Sequence, residues 1–321
     1  MKKTMISTAV LALLFASCSS DDGLTQSTLP LEGTPIQVNV AVADLQTRAG
    51  YDASNLPTEF YIDIINSNNS KYSYQDIKMK LEDGLWKSYV PVYKTQENKN
   101  DEATQMLWAG DNNKVQVTAR TFKSDLTVDG YTAIDFETDQ SNAEAVKKND
   151  HLLMKTTPVT PDRSGIDVTF KHLMSKINLS IELRDEFHGT TTPTFSDVNI
   201  EGTFTSGGYA ISNQEIESDP AVNPKTIKLL EISTPTEDQN NHTHVEYEAI
   251  LMPQTVEANI FKVSFKVGER NFEWTSTESI TLEGGKKYTL KLMAGHDKVS
   301  SASLSATNWE SDSQEINGKT E

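Results

Sequence analysis

The chain has 321 residues, 46 of them acidic and 29 basic, for a formal charge of -17, and 36% of its side chains are hydrophobic. So negative a field repels nucleic acid and anionic lipid head groups, and no basic patch interleaved with aromatics offsets it. Short apolar runs spread evenly along the chain exclude wholesale disorder, and the length suits two domains of ordinary size.

At the N-terminus, Met1-Lys2-Lys3-Thr4 precedes an apolar run from Ala9 to Ala16 and then Ser17-Cys18. A basic start, a short hydrophobic segment and a small residue make residues 1–17 a secretory signal peptide. The run is far shorter than the roughly 20 residues that cross a bilayer as a helix. Cys18 is the single cysteine, so it has no intrachain disulfide partner. It stands where a bacterial lipoprotein signal peptidase cuts, and a diacylglyceryl thioether on Cys18 is the expected outcome; the alternative is an ordinary signal peptide and a free thiol. Losing Lys2 and Lys3 with the signal takes the charge to -19, since residues 1–17 contain no Asp or Glu. Ser19-Ser20-Asp21-Asp22 then resembles the acidic signal that sends lipoproteins to the outer leaflet in some Gram-negative bacteria, or serves as a solvated tether over residues 18–33.

Period-two alternation dominates the rest of the chain. Ile36, Val38, Val40 and Val42 point one way while Gln37, Asn39, Ala41 and Ala43 point the other, the signature of a half-buried strand. Further strands are predicted at Phe60 to Ile65, Lys114 to Ala119, Val168 to Phe170, Lys176 to Leu183, Val245 to Leu251, Phe261 to Val267, Asn271 to Thr275 and Lys287 to Met293. Glu82-Asp83-Gly84, Val128-Asp129-Gly130, Ser206-Gly207-Gly208 and Glu283-Gly284-Gly285 supply the residues that tolerate positive φ in tight hairpins. One short helix is predicted from Ser141 to Lys148, capped by Ser141 or Asn142. Proline and glycine concentrate between Thr156 and Val168, which sets a boundary between an N-terminal domain at 34–160 and a C-terminal domain at 161–321.

The familiar catalytic templates are absent: there is no nucleophile elbow, zinc-protease helix, phosphate-binding loop, dinucleotide fingerprint or Cys-x-x-Cys pair. No catalytic residue and no cofactor is therefore assigned, although a carboxylate pair of the glycosidase kind meets only in three dimensions and escapes a reading by spacing. His242-Thr243-His244 would bind a metal if Glu237 or Asp238 completed the set, but two histidines in an Asn-rich loop are more often solvated, so no metal ligand is assigned. His151 and His172 lie beside apolar runs and read as core histidines bonded to backbone. Trp86, Trp108, Trp274 and Trp309 offer aromatic faces for a sugar platform, with core packing the preferred reading.

Four segments together resemble the fimbrillin-like lipoproteins that form type V pili of Gram-negative anaerobes. They are the signal and first strand followed by Gln46-Thr47-Arg48-Ala49-Gly50; Val168-Thr169-Phe170-Lys171-His172-Leu173-Met174-Ser175-Lys176-Ile177; Tyr247-Glu248-Ala249-Ile250-Leu251-Met252-Pro253-Gln254-Thr255 with the strand from Phe261; and Leu282-Glu283-Gly284-Gly285-Lys286-Lys287-Tyr288-Thr289-Leu290 leading to Ala306-Thr307-Asn308-Trp309. The resemblance implies an all-β protein of two transthyretin-like Greek-key β-sandwich domains in tandem, displayed on the outer membrane. It further implies an Arg-specific protease cutting between Arg48 and Ala49, loss of the strand carrying Ile36, Val38, Val40 and Val42, and donor-strand insertion from other pilus subunits. Stalk subunits of the family carry extra C-terminal donor strands, whereas 12 residues follow Trp309 and Ile316 is the one large apolar side chain among them. A tip or accessory subunit that contacts a host or bacterial surface ligand is the resulting expectation. The competing expectation is a free-standing surface lipoprotein that binds glycan or another cell-surface ligand.

Overall fold

Alternating apolar and polar side chains build most of the strands in the computed structural model. It describes residues 31–309 apart from 44–49, 95–99, 111–112, 124–126, 129–130, 185–186, 188–192, 239–241 and 296–297. The signal segment, Cys18, Arg48, Ala49, the Asp129-Gly130 turn and the tail after Trp309 lie outside the described residues.

The N-terminal half contributes β1 (Val38–Val42), β2 (Glu59–Ile65), β3 (Tyr74–Glu82), β4 (Leu85–Val90), β5 (Glu102–Thr104), β6 (Val115–Arg120), β7 (Thr127–Val128), β8 (Tyr131–Ala133), α1 (Ala143–Asn149), β9 (Leu152–Val159) and β10 (Ile166–His172). The C-terminal half adds β11 (Ser175–Leu183), β12 (Phe195–Glu201), β13 (Gly207–Ala210), β14 (Glu215–Ser218), β15 (Ile227–Lys228), β16 (Leu230–Glu231), β17 (Thr236–Glu237) and β18 (Thr243–Leu251). It ends with β19 (Gln254–Val256), β20 (Lys262–Val267), β21 (Arg270–Thr275), β22 (Ile280–Leu282), β23 (Lys286–Ala294) and β24 (Val299–Asn308). The all-β expectation is met.

The first sheet runs β1-β10-β9-β6-β2-β3-β4-β5. It curls until its two ends approach: the lead into β1 bonds to residues 106–108 just beyond β5, with the Ile36 N–H donating to the Met106 carbonyl and the Trp108 N–H to that of Thr34, both at 2.9 Å. Inside the curl, Ile36, Val38 and Val42 pack with Phe60, Ile62, Ile64, Val117, Trp108, Ile166, Val168 and Phe170.

The second sheet runs β16-β18-β11-β23-β24, with β17 also on β18, and it faces the sheet β15-β12-β20-β21. Ile177, Leu179, Ile181 and Leu183 of β11 bury themselves against Val198 and Ile200 of β12 and Phe261, Val263 and Phe265 around β20, a sandwich core of two inner faces. A third cluster, including Phe122, Ile134, Leu153, Tyr209, Met252 and Trp309, joins the halves. From Leu31 onward the chain forms one compact unit.

Several sequence expectations shift. The change of sheet falls between His172 and Ser175: Val38 to Val42 pair in parallel with Ile166 to Phe170 and hold β10 in the first sheet. Pro158 lies inside β9 rather than in a linker; β9 meets β10 only through Leu152 and Leu153, so further along it offers an open edge, where a residue lacking an N–H fits. Gly207 and Gly208 lie in β13 instead of a turn. A Cβ on Gly207 would sit 2.2 Å from the Glu217 carbonyl oxygen, so the glycines there serve close backbone approach. The helix forms as read, its Asn142 side chain accepting the Ala145 N–H at 3.0 Å, and Asp83 and Gly84 turn β3 into β4 with φ of 53° and 77°.

Candidate functional site

The strand β1 is the seam of the first sheet. Val38 and Val42, with Ile36 in the lead, are buried and Val40 is half-buried, while Asn39 and Ala41 face out. On the polar side the Asn39 amide donates to Asp167 Oδ1 at 2.9 Å. The backbone ties continue at both ends: the Ile166 N–H donates to the Gln37 carbonyl at 2.9 Å, and the Ala43 N–H donates to that of Phe170 at 2.8 Å. Gly165 makes this seating fit. Its φ is +96°, and a Cβ there would lie 2.3 Å from the Gln37 carbonyl oxygen.

Beyond residues 44–49 the chain is pinned again. The Tyr51 N–H donates to Asp150 Oδ2 at 2.7 Å, the Asn55 amide donates to the Gly50 carbonyl at 2.8 Å, and the Lys147 ammonium sits 4.9 Å from the centre of the Tyr51 ring. Burial, reinforced by the Asp150 charge, pushes the Tyr51 phenol up to about 12. Arg48 and Ala49 thus belong to a short span bracketed by Ala43 on one side and Gly50 on the other.

Asp150 also takes His172 Nδ1 at 2.6 Å, and the His172 ring stacks flat on Trp309 with centroids 3.9 Å apart. A carboxylate is therefore among the partners of His172, where the expectation for a core histidine was backbone. His151 does meet backbone, its Nε2 lying 3.4 Å from the Asp135 carbonyl oxygen, and burial pulls its pKa down.

The tryptophans pack inward. Trp108 is buried and its indole N–H donates to the Asp162 carbonyl at 3.0 Å; Trp86 meets Phe60 edge-on at 4.8 Å; Trp274 meets Phe261. His242 Nδ1 lies 3.0 Å from Glu182 and His244 Nε2 lies 3.2 Å from Asp238. Among the described residues no group of three or more His, Cys, Asp or Glu is arranged to hold a metal ion, and no described helix is long and apolar enough to cross a membrane.

The sequence reading missed Gly165, which it took for linker punctuation, and Asp150, whose links to Tyr51 and His172 span residues far apart in the chain. It also missed the return of residues 106–108 to the lead of β1. The Asp162 to Gly165 turn cluster was the available signal for the seat, but nothing local says which backbone it meets.

Comparison with known proteins agrees with this architecture. A family model described as fimbrillin-like matches residues 47–309. A candidate cell adhesion protein from Bacteroides uniformis is 14% identical, with a TM-score of 0.57 over 86% of this chain and 98% of that one. Another from Bacteroides ovatus is 13% identical, with a TM-score of 0.61 over 85% and 97%. A fimbrial protein from Bacteroides vulgatus is 13% identical, with a TM-score of 0.50 over 86% and 99%. No curated protein matches the chain. At these identities the solved structures speak to the fold.

Proposed function

The chain belongs to the fimbrillin-like family, whose members are fimbrial and adhesion proteins of structural rather than catalytic character, and we propose that it is a surface-displayed pilus subunit assembled by strand exchange. In this reading Cys18 carries the lipid that tethers the precursor to the outer membrane, an Arg-specific protease cuts between Arg48 and Ala49, and the strand with Ile36, Val38, Val40 and Val42 leaves. A donor strand from another subunit takes its place. The subunit is a tip or accessory component, and its loops meet a host or bacterial surface ligand. Two β-sandwich halves, exchanging after His172, carry these roles.

The observation that supports the reading is the seam. The strand β1 is the end strand of the first sheet, and on its far side only its lead is tied, by the bonds between residues 33–36 and 106–108, so its departure breaks few backbone bonds there. Its loss bares the backbone edge of β10 and apolar seats beside Ile166, Val168 and Phe170. Unpaired N–H and C=O groups in a row, flanked by apolar sockets at alternate positions, favour an incoming strand. Each buried Val or Ile removed gives up about 1.5–3 kcal/mol of burial, which a donor of similar pattern restores. The anchoring of Gly50 and Tyr51 supports a stable new N-terminus at Ala49.

The test is limited digestion of the purified chain, lacking residues 1–17, with an Arg-specific protease, followed by denaturing and native mass measurement. The expected result is one cut after Arg48, the freed segment staying bound until a synthetic peptide with the sequence of a stalk subunit's donor strand displaces it; Arg48→Lys blocks the cut. Wholesale degradation, or a cut chain that never exchanges its strand, would sink the reading in favour of a free-standing binding lipoprotein.

A further inference from the structure

The longest strand among the described residues closes the second sheet. It is β24, Val299-Ser300-Ser301-Ala302-Ser303-Leu304-Ser305-Ala306-Thr307-Asn308, ten residues without a charge or a proline. It pairs with β23 on one side, and among the described residues no strand pairs with the other. An open edge of this kind offers a row of backbone N–H and C=O groups to another chain unless charge, proline, a bulge or shortness blunts it.

The other sheet ends are blunted. The strands β5, β14, β15, β16 and β21 carry Glu102, Glu215, Lys228, Glu231 and Glu273, and β7, β19 and β22 are only two or three residues long. Uncharged β1 has its lead tied to residues 106–108. The ladder of β24 has one irregularity, between Lys291 and Leu292 of β23, and from Ser303 to Asn308 it runs in unbroken register with Lys291 to Lys286. Ser303, Leu304, Ser305 and Ala306 are exposed, Leu304 at 43%.

What fits this edge follows from its own side chains. Leu304 and Ala306 lie across from Leu290 and Tyr288, which are buried in the sandwich core, so they share its inward side; Ser303, Ser305 and Thr307 lie across from Lys291, Thr289 and Lys287 on the outward side. An antiparallel second copy centred on Ser305 keeps the two sides in step. It sets each Leu304 opposite the other copy's Ala306, large against small, each Ser303 opposite Thr307, and Ser305 opposite itself. Hydroxyl pairs of this kind are favourable cross-strand neighbours. A chain of formal charge -17 repels a copy of itself over most of its surface, so an uncharged stretch is where two copies approach most easily.

We propose that β24 pairs antiparallel with β24 of a second copy, joining two second sheets into one continuous sheet about a two-fold axis. The contact is isologous and consumes the free edge of both copies, so it stops at a dimer. The seam strand β1 belongs to a different sheet, so this pairing does not rest on strand exchange, and the protease assay and the association assay fail separately.

The experiment is sedimentation equilibrium of the purified chain lacking residues 1–17, in reducing buffer so that Cys18 forms no disulfide between copies. A reversible monomer–dimer equilibrium with a dissociation constant below about 1 mM is expected. Ser305→Lys and Ser305→Glu each set like charges directly opposite one another and should weaken the dimer about fivefold or more. Both should keep the parent's thermal midpoint at low concentration, and mixing them should restore the dimer, because Lys then faces Glu. Leu85→Lys, at the most exposed of the large hydrophobic side chains, lies in the first sheet and should leave the equilibrium unchanged. A chain that stays monomeric up to about 1 mM would overturn the proposal. So would a dimer insensitive to both Ser305 variants, no recovery in the mixture, equal weakening by Leu85→Lys, or growth beyond a dimer.

Discussion

Two strands with nearly the same written pattern meet different fates. In β1 and its lead, Ile36, Val38, Val40 and Val42 alternate with small or polar residues; in β11, Ile177, Leu179, Ile181 and Leu183 alternate with Asn178, Ser180 and Glu182. Both pair in parallel, β1 with β10 and β11 with β23. The difference is the other side. Antiparallel β18 covers the whole of β11, from Ser175 opposite Leu251 to Leu183 opposite Thr243, whereas β1 ends its sheet and only its lead touches residues 106–108. The contrast teaches that alternation specifies a strand and its inward face, while the number of neighbours decides whether that strand can leave.

The largest effect that would break the comparison is a matched pair of truncations. Leu179 is 1% exposed in the middle of the second core, so Leu179→Ala should cost about 2–5 kcal/mol of global stability. Val40 is half-buried at the seam, and Val40→Ala removes two carbons from a partly wet site for about 0.5–1 kcal/mol. Urea unfolding midpoints of the two variants check the difference. Equal losses would mean that β1 is as integral as β11, and the idea of a detachable seam would be wrong.

How much of this was legible in the sequence follows from the same contrast. Inner-face alternation marks β2, β6, β11, β18, β20 and β23 plainly, because their apolar residues fall every second position and their cores demand it. The serine-rich β24, Val299-Ser300-Ser301-Ala302-Ser303-Leu304-Ser305-Ala306-Thr307-Asn308, gives no such signal, since it borrows its order from β23 alongside. The allegiance of β10 to the first sheet was hidden for a related reason: Val168 and Phe170 alternate correctly for either core, and only the partner, β1, decides. The outward residues of β11 looked like an ordinary solvated face, and nothing local showed that the distant Trp309 comes back to meet Lys176 there. Arg48 carried meaning through the family resemblance alone.

A smaller perturbation sharpens the comparison without touching the side chains of β1. Gly165 combines φ of +96° with backbone contact to Gln37, so Gly165→Ala forces both an unfavourable conformation and a clash, at a cost of about 1–3 kcal/mol. The damage should be local: hydrogen exchange should quicken at β1 and at the Ile166 N–H, while β11 and β18 keep their protection. After cleavage the same variant should surrender its strand to a donor peptide faster. Uniform loss of protection across both sheets would show that the seam cannot open alone.

The smallest effect tests the junction that lets the two regions behave differently. His151 is buried between the halves, with its ring edge-on to Phe122 at 5.6 Å and its Nε2 beside the Asp135 carbonyl. Burial depresses its folded pKa below the ordinary 6.5, against the milder upward pull of the Asp135 carbonyl and the Asp150 and Asp135 charges. A depressed histidine contributes stability that is fully present above its unfolded pKa. As pH falls through about 6.5 the unfolded chain takes up a proton that the folded chain refuses, so stability declines until the lower folded pKa is passed. The slope is no steeper than about 1.4 kcal/mol per pH unit, the limit for one proton. His151→Gln keeps an N–H for Asp135 and removes the titration, so denaturation midpoints measured from about pH 8 to about pH 5 should fall less for the variant than for the parent. Parallel curves would assign the acid sensitivity to carboxylates elsewhere and leave His151 a packing residue; a flatter curve assigns that share of the acid sensitivity to the proton that buried His151 refuses at the junction.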